Sequence, residues 1–512
     1  MARNAATRGE QVALQEKRYG IWQATSWAAY QARVRSVAHA LAELGFETDE
    51  VLAILGDNRP EWVISELAAQ SLGGISVGLY PDGVVEEVEH VLSHAGVRIV
   101  VAEDQEQVDK LLALREQGGI QSVERIVYYD PHGLELYEDG GLIEFTELER
   151  RGEQRERERR AWLDDRVAAG DVDDLAILCT TSGTTAKPKL AMLTHRNLLS
   201  MGRDLIDVDP IGASDEFVSF LPLAWIGEQM TAIACSLQAG FALSFPEDSS
   251  TIQADLREIG PRMMFSPPRI WESLVSSVQV RLDDAGWLKR KSFGWGFEIG
   301  RRAAEARLGG QPLGPRLRLA HGLAELVALR PVREQLGLTR IRRAYTGGAP
   351  LGPEVFAFFH AIGVNLKQIY GQTEICGIAV LHRDGEVRFN TVGTPLPRTE
   401  LEIGPSDEIL LRSPAVFKGY YRNEEATAEA LDAGWLHTGD AGYLEDGHLV
   451  VIDRAKDVMK ARDGTPFSPA FVENKLKFSP FVQEAVVFGG DRPYVTAMVS
   501  IDMANVGTWA ER

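Results

Sequence analysis

Residues 175–189 read LAILCTTSGTTAKPK, and the reading of the fold turns on this stretch. Leu175 to Cys179 form an apolar run too short for a helix, which predicts a buried strand. The residues that follow change character at once. Thr180, Thr181, Ser182, Thr184 and Thr185 supply hydroxyls, Gly183 lets backbone approach a ligand, and Lys187 and Lys189 add positive charge. Backbone N–H groups and hydroxyls in such a loop wrap phosphate oxygens. The G-x-x-x-x-G-K-[ST] spacing of the common nucleotide loop is absent here and elsewhere in the chain. On composition alone, a plain surface loop is the commoner reading of such a stretch.

Outward from this strand, Val51 to Leu55, Gly74 to Gly78 and Val97 to Val101 read as further strands. Between the first two, Pro60 to Leu67 carries apolar residues at helical spacing, with Pro60 placed to open a helix. Phe217 to Leu221 and Ala344-Tyr345, which leads into Gly347-Gly348, continue the pattern. The alternation predicts an α/β fold with parallel-rich sheets in a large multi-lobed N-terminal domain. Past Gly404 the texture changes to short strands and turns. Glu408 to Arg412 and His448 to Ile452 predict a small β-rich subdomain. Asp453 to Asp457 then breaks the apolar pattern and reads as a hinge, followed by a partial α+β lobe. The domain division is therefore 1–455, with the β-rich subdomain at 390–455, and 456–512 after the hinge.

Two segments differ in composition. Glu149 to Arg166 is dense in Arg and Glu and reads as a solvated helix or linker. Trp287 to Leu338 is rich in Arg, Ala and Leu, with Phe293, Trp295 and Phe297 among them. It reads as amphipathic helices, by default packed on the core. A membrane-facing or acyl-tunnel role is the sharper alternative.

Composition narrows the function classes. Among 512 residues, 54 basic side chains against 74 acidic give −20, which argues against a nucleic-acid partner. No run of ~18 apolar residues suits a membrane-spanning helix; the most apolar window, Thr231 to Phe245, contains Ser236 and Gln238. The first residues carry no apolar run of a secretory signal. Cys179, Cys235 and Cys376 are few and far apart, which suits a reducing cytoplasm and forms no disulfide framework.

Two further motifs carry chemistry. Tyr370-Gly371-Gln372-Thr373-Glu374 follows a segment read as a strand, Asn365 to Ile369. A carboxylate beside hydroxyls suits Mg2+ held against phosphate, and Tyr370 is placed to stack on a base. Thr438-Gly439-Asp440 offers a carboxylate that takes ribose hydroxyls. Each alone is most often an ordinary turn.

Together with Leu221-Pro222-Leu223-Ala224-Trp225, Gly347-Gly348-Ala349-Pro350, Gly393-Thr394-Pro395, His437 and Asp453-Arg454, these motifs occur in one order along the chain. In that order and spacing the chain resembles the adenylate-forming superfamily of acyl-CoA synthetases, peptide-synthetase adenylation domains and luciferases. Within it the chain is most similar to the long-chain fatty acyl-CoA synthetases, through the 287–338 insertion and Glu228 three residues after Trp225.

The resemblance implies ATP-dependent conversion of a long-chain or bulky hydrophobic carboxylic acid to acyl-AMP, then transfer to CoA. It implies that Thr181, Ser182, Gly183, Thr184, Thr185 and Lys189 hold the β- and γ-phosphates. Thr373 would touch the α-phosphate and Glu374 would ligate Mg2+, so that Thr373, Glu374 and Lys189 carry catalysis. Gly348, Ala349 and Tyr370 would border the adenine, Asp440 and Arg454 the ribose, with Gly371 also among the cofactor-binding residues. The acid would lie near Trp225, Gly347 and Gly371, with Trp225 where many relatives carry His. Lys456 would be the hinge. ATP, Mg2+ and CoA are the implied cofactor and co-substrates, in a cytoplasmic setting with peripheral membrane contact left open and the oligomeric state unassigned.

The chain departs from the family pattern in three places. Ala186 and Leu190 replace glycines of the phosphate loop. No lysine follows Lys477, whereas relatives carry one near the C-terminus that reaches the carboxylate and α-phosphate. The resemblance thus implies that the sequence is part of a longer protein, cut within the C-terminal lobe and late at its start, and impaired in adenylation as it stands. Two other readings stay beside the ligase. One is a fatty acyl-AMP ligase serving a carrier protein, and the other an idle nucleotide- or lipid-binding module. A luciferase-like oxygenase has no supporting feature.

Overall fold

A computed structural model describes residues 1–181, 187–455, 458–477, 479 and 481–510. Internal contacts divide the chain into two units. One comprises Met1–Met264, Thr373–Gly377 and Pro414–Ala428, and the other Phe265–Gln372, Ile378–Ser413 and Glu429–Arg512.

The first unit is built on a sheet in the order Leu142–Glu144, Arg125–Tyr128, Ile99–Ala102, Val51–Leu55, Ile75–Leu79, Leu175–Thr181, Lys189–Thr194. All neighbours are parallel except the last pair, which is antiparallel. Every residue of Val51–Leu55 and of Ile99–Ala102 is buried. A parallel sheet covered on both faces demands apolar side chains on both, so these strands read as continuous runs without alternation.

The crossover helices follow from local chemistry. Pro60–Ser71 opens on a proline whose missing N–H would be unbonded there anyway. Val85–Ala95 stops at Gly96, whose φ of +68° is the left-handed conformation glycine adopts without strain. Gln105–Glu116 starts where the Asp104 side chain accepts from the Gln107 N–H at 3.1 Å.

Within the same unit, Val12–Arg18 pairs antiparallel with Ile21–Ser26 and parallel with Ala242–Phe245, which pairs with Glu216–Val218. Lys17 is buried, and Asp255 and Glu258 hold its ammonium at 2.7 Å each.

The Arg/Glu-rich segment is a helix, Phe145–Ala169, with Phe145, Leu148, Gly152 and Leu163 buried and most other residues exposed. It packs on Trp27–Glu43. A Cβ at Gly152 would fall on the Ser36 carbonyl oxygen, so the two backbones cross in contact. Arg33 reaches Glu149 at 2.6 Å, and Glu156 takes Arg35 at 2.7 Å and His39 at 2.9 Å. The charge run is thus a solvated helix with one face docked.

In the second unit, Arg343–Thr346 lies parallel to Leu366–Tyr370, which continues antiparallel into Val380–Leu381 and Thr394–Pro395. Trp271, fully buried on Pro268–Asp283, donates to the Tyr345 carbonyl at 3.1 Å and meets the Phe359 ring edge-on at 4.9 Å. The insertion forms Trp287–Leu308, then Pro315–Ala324, which runs through a π-helical turn, Glu325–Leu329, into Arg330–Gln335.

The β-rich part expected past Gly404 is present. Glu400–Ile403, Glu408–Arg412, Trp435–Glu445 and His448–Arg454 form an antiparallel sheet, with Leu431–Asp432 beside Trp435–Glu445. Beyond it, Val482–Phe488 pairs with Thr496–Ile501, and Met503–Ala510 is helical.

The Gly152 crossing gives a direct test. Gly152→Val forces a branched side chain into a backbone contact, and overpacking of this kind costs ~1–3 kcal/mol. A lowered denaturation midpoint by circular dichroism is expected, whereas an unchanged midpoint would mean that the two helices do not cross at this residue.

Candidate active site

Each unit carries its own cluster of polar side chains. In the first, the hairpin of Leu175–Thr181 and Lys189–Thr194 sets Thr181 opposite Lys189. Ser182, Gly183, Thr184, Thr185 and Ala186 lie outside the described residues, as does Lys456.

The outer edge of Lys189–Thr194 is stitched to the segment around Tyr420. Met192 N–H donates to Gly419 O at 2.9 Å, Lys418 N–H to Met192 O at 2.9 Å, and Tyr421 N–H to Leu190 O at 2.8 Å. This stitching places the Tyr420 ring 4.8 Å beneath the Lys189 ammonium. The Tyr420 hydroxyl donates to Glu374 Oε1 at 2.6 Å. Glu374 is buried on a single 3-10 turn, Thr373–Ile375, and its carbonyl accepts from Phe417 N–H at 2.8 Å. Lysine, tyrosine and glutamate thus form one chain of contacts, a cation over a ring whose hydroxyl bonds a carboxylate.

Motif reading did not single out Tyr420. The available signal is Lys418-Gly419-Tyr420-Tyr421, with Gly419 at φ +129°, where a Cβ would press on the Thr427 side chain at 2.6 Å.

Among the described residues no group of three or more His, Cys, Asp and Glu is arranged to hold a metal ion. One buried carboxylate suits Mg2+ when phosphate oxygens supply the remaining ligands, because Mg2+ retains oxygen ligands and takes one or two carboxylates. Glu374 fits that donor set.

The expected strand Phe217 to Leu221 is shorter, Glu216–Val218. Asn58 captures the residues after it. Its Nδ2 donates to Leu221 O at 2.6 Å and to Ser219 Oγ at 2.9 Å, while its Oδ1 accepts from Leu223 N–H at 3.0 Å. The turn delivers Trp225, partly exposed, as the residue preceding the helix Ile226–Glu228. A Cβ at Gly78 would meet Ala224 Cα at 2.8 Å, so glycine is required for this turn to lie on the sheet.

The helix then widens into a π-helical turn, Gln229–Cys235, a geometry often found at functional sites. It carries a buried polar group that the sequence does not announce. Gln229 Nε2 donates to Glu66 Oε2 at 2.8 Å and to Leu223 O at 3.0 Å. Burial pushes the Glu66 carboxyl up to about 7 and the Glu228 carboxyl up to about 8. Ser219 and the Phe220 amide face Glu228, yet neither of its oxygens reaches a hydrogen-bond partner at bonding geometry among the described residues.

Burial likewise pushes the Cys179 and Cys235 thiols up to about 12 and the Cys376 thiol well above its ordinary value. Such thiols are not nucleophiles at neutral pH.

In the second unit, Tyr370 ends Leu366–Tyr370 and its hydroxyl donates to Asp440 Oδ2 at 2.7 Å. Asp440 sits opposite Arg454 in the Trp435–Glu445/His448–Arg454 ladder, and Arg454 Nε lies 3.2 Å from Asp440 Oδ1. Arg454 Nη1 and Gln372 Nε2 both donate to Thr438 O, at 3.1 and 3.3 Å. Burial, then the Asp440 carboxylate, pushes the Tyr370 phenol well above its usual range. Gly347 backs onto Ile369, where a Cβ would meet Cγ1 at 2.5 Å, and the Ala349 carbonyl accepts from Gln368 at 3.1 Å. Residues separated by 70 positions, Tyr370 and Asp440, are therefore in direct contact.

The family model described as AMP-binding enzyme matches residues 1–421. The chain is 29% identical over 498 residues to the long-chain-fatty-acid–CoA ligase FadD15 of Mycobacterium bovis, covering 96% of this chain and 80% of that protein. It is 28% identical over 511 residues to the human long-chain-fatty-acid–CoA ligase ACSBG1, covering 96% and 69%. In fold it resembles the anthranilate CoA ligase AuaEII, crystallised with anthranoyl-AMP, with a TM-score of 0.72 at 19% identity over 99% of this chain and 88% of that one.

Glu228 gives a pH prediction. Its folded-state value of about 8 lies above the ordinary 4.5, so the folded protein binds the extra proton between those values. The contribution of Glu228 to stability therefore falls as pH rises from about 4.5 to about 8. Glu228→Gln removes this contribution, and each pH unit of separation corresponds to ~1.4 kcal/mol. Relative to the unsubstituted chain, the variant should be more stable at pH 8 than at pH 5 in urea denaturation. An equal difference at both pH values would contradict the assignment.

Proposed function

The chain belongs to the AMP-binding enzyme family, and from that membership we propose that it is an AMP-forming acyl-CoA ligase for long-chain hydrophobic acids. The observation that carries this reading is the Lys189–Tyr420–Glu374 contact chain beside the phosphate-loop hairpin. The named activities of FadD15 and ACSBG1 supply the substrate class.

In the proposed reaction the acid carboxylate attacks the α-phosphorus of ATP, an acyl–phosphate bond forms, and pyrophosphate leaves. The CoA thiol then loses its proton and attacks the acyl carbonyl, and AMP leaves. Little covalent work falls to the protein, so positioning and fixed charge dominate.

Lys189 and Thr181, with the loop residues Ser182, Gly183, Thr184 and Thr185, hold the β- and γ-phosphates in this reading. Thr373 orients the α-phosphate, and Glu374 holds Mg2+, which would offset charge on the phosphates. Tyr420 keeps the Glu374 carboxylate oriented. Gly348, Ala349 and Tyr370 border the adenine, with Gly371 beside the cofactor. Asp440, already a double acceptor for Tyr370 and Arg454, accepts ribose hydroxyls with its remaining lone pairs. No acyl-enzyme is required, in keeping with the three high-pKa thiols.

The acid lies against Trp225, Gly347 and Gly371, and each buried CH2 adds ~0.8 kcal/mol before entropic costs. Lys456 and the lobe boundary at 455–456 belong to the same proposal, as does a cytoplasmic setting. Among the described residues no helix is long and apolar enough to cross a membrane.

The test is an assay of AMP and acyl-CoA formation with MgATP, CoA and acids from acetate to palmitate. Formation of both products, rising with chain length, is expected. AMP without thioester would favour delivery of acyl-AMP to a carrier protein, and neither product, from this chain or from a version extended through a complete C-terminal lobe, would contradict the reading. Glu374→Gln should lower kcat/KM by ~10²–10³ with an unchanged denaturation midpoint, the cost of one preorganised contact in the transition state.

A further inference from the structure

Trp287–Leu308 and Pro315–Ala324 pack together through small residues. A Cβ at Gly296 would press on Ala328 Cβ at 2.5 Å, and Ala303, Ala304, Ala324 and Leu329 are buried. Closing a seam on glycine and alanine leaves the large apolar side chains outside it. Leu319, Leu323, Leu326 and Val327 recur at the spacing of one helical face and are exposed, Leu319 at 80%. The first turn of Trp287–Leu308 exposes Trp287 and Leu288 at 65% and 66%. Isolated surface leucines need no explanation, but a helical stripe of them does.

The charges around these residues are as distinctive. Residues 287–338 carry ten Lys and Arg against four Glu, a balance of +6 in a chain of −20. Three of the glutamates, Glu298, Glu305 and Glu325, are tied to Arg301, Arg302 and Arg333. Lys289, Arg290, Arg316 and Arg330 are exposed, and among the described residues no carboxylate pairs with them.

We propose that this helical hairpin docks on an anionic lipid surface, with its leucines and Trp287 in the acyl boundary and the flanking lysines and arginines on the headgroups. Apolar residues on one face beside Lys and Arg are the pattern of interfacial helices. The local positive charge fits an anionic leaflet, which attracts basic residues by ~1 kcal/mol each, or roughly fivefold in affinity. The same charge argues against a second copy as the occupant, because a two-fold contact through this hairpin would set positive segment against positive segment. The inference goes beyond the ligase reading and does not depend on it.

The test is co-sedimentation with vesicles of 30 mol% phosphatidylglycerol in phosphatidylcholine, and with pure phosphatidylcholine. Binding to the anionic vesicles, at least tenfold weaker on neutral ones and at 0.5 M salt, is expected. The exposed double variant L323E/L326E should lose binding more than tenfold while keeping helix content. The triple variant K289S/R290S/K291S should weaken binding to the anionic vesicles by roughly a hundredfold at low salt. Absence of binding, or equal binding by both variants, would overturn the proposal. A dimer in sedimentation velocity that L323E/L326E dissociates, without lipid binding, would overturn it in favour of a second copy. None of these readouts involves catalysis, so a failure here and a failure of the ligase reading are distinguishable.

Discussion

The hydrogen bond from Tyr420 to Glu374 is the contact on which the rest of the candidate site depends. Glu374 is a buried carboxylate, and a buried charge without a partner is costly. The Tyr420 hydroxyl supplies the partner, while its ring supports Lys189. The three groups fix one another before any ligand arrives. In the proposed ligase, chemistry on a polyanion would draw on this preorganisation, because charges that must move into place during reaction stabilise the transition state less.

The scaffold explains how Tyr420 is held there. The first unit takes Pro414–Ala428 from far along the chain and bonds it to the edge strand Lys189–Thr194 through three main-chain hydrogen bonds. Asn197 fixes the same segment at its start, donating to Pro414 O and Val416 O at 2.9 and 2.8 Å. An exposed strand edge is thereby covered. In the second unit a ladder register does the equivalent work, since the pairing of Asp440 with Arg454 sets the carboxylate beside both Arg454 and Tyr370.

Local chemistry made much of this legible in the sequence. Val51 to Leu55 and Leu175 to Cys179 read as buried strands because both faces of a parallel sheet are apolar, and Glu408 to Arg412 matches its strand residue for residue. The Tyr370 and Asp440 motifs were visible as motifs, but their contact was not, since 70 residues separate them. Tyr420, Asn58 and the Glu66–Gln229 pair went unread for the same reason. Asn58 meets Leu221 across 163 positions, and nothing local to Asn58 signals a clamp. The 287–338 segment was legible as amphipathic helices, with the core as default. Only the glycine–alanine seam reveals that Leu319, Leu323 and Leu326 face outward.

The proposed ligase activity requires that the chain bind an acyl-adenylate and favour a long acyl tail. The most direct test is calorimetric titration with palmitoyl-sulfamoyl-adenosine and with its acetyl counterpart, both unreactive mimics of acyl-AMP. The palmitoyl compound should bind at least about a hundredfold more tightly through its buried CH2 groups, and Asp440→Ala should weaken both by a similar factor. Equal affinity for the two compounds, or no binding of either, would contradict that requirement.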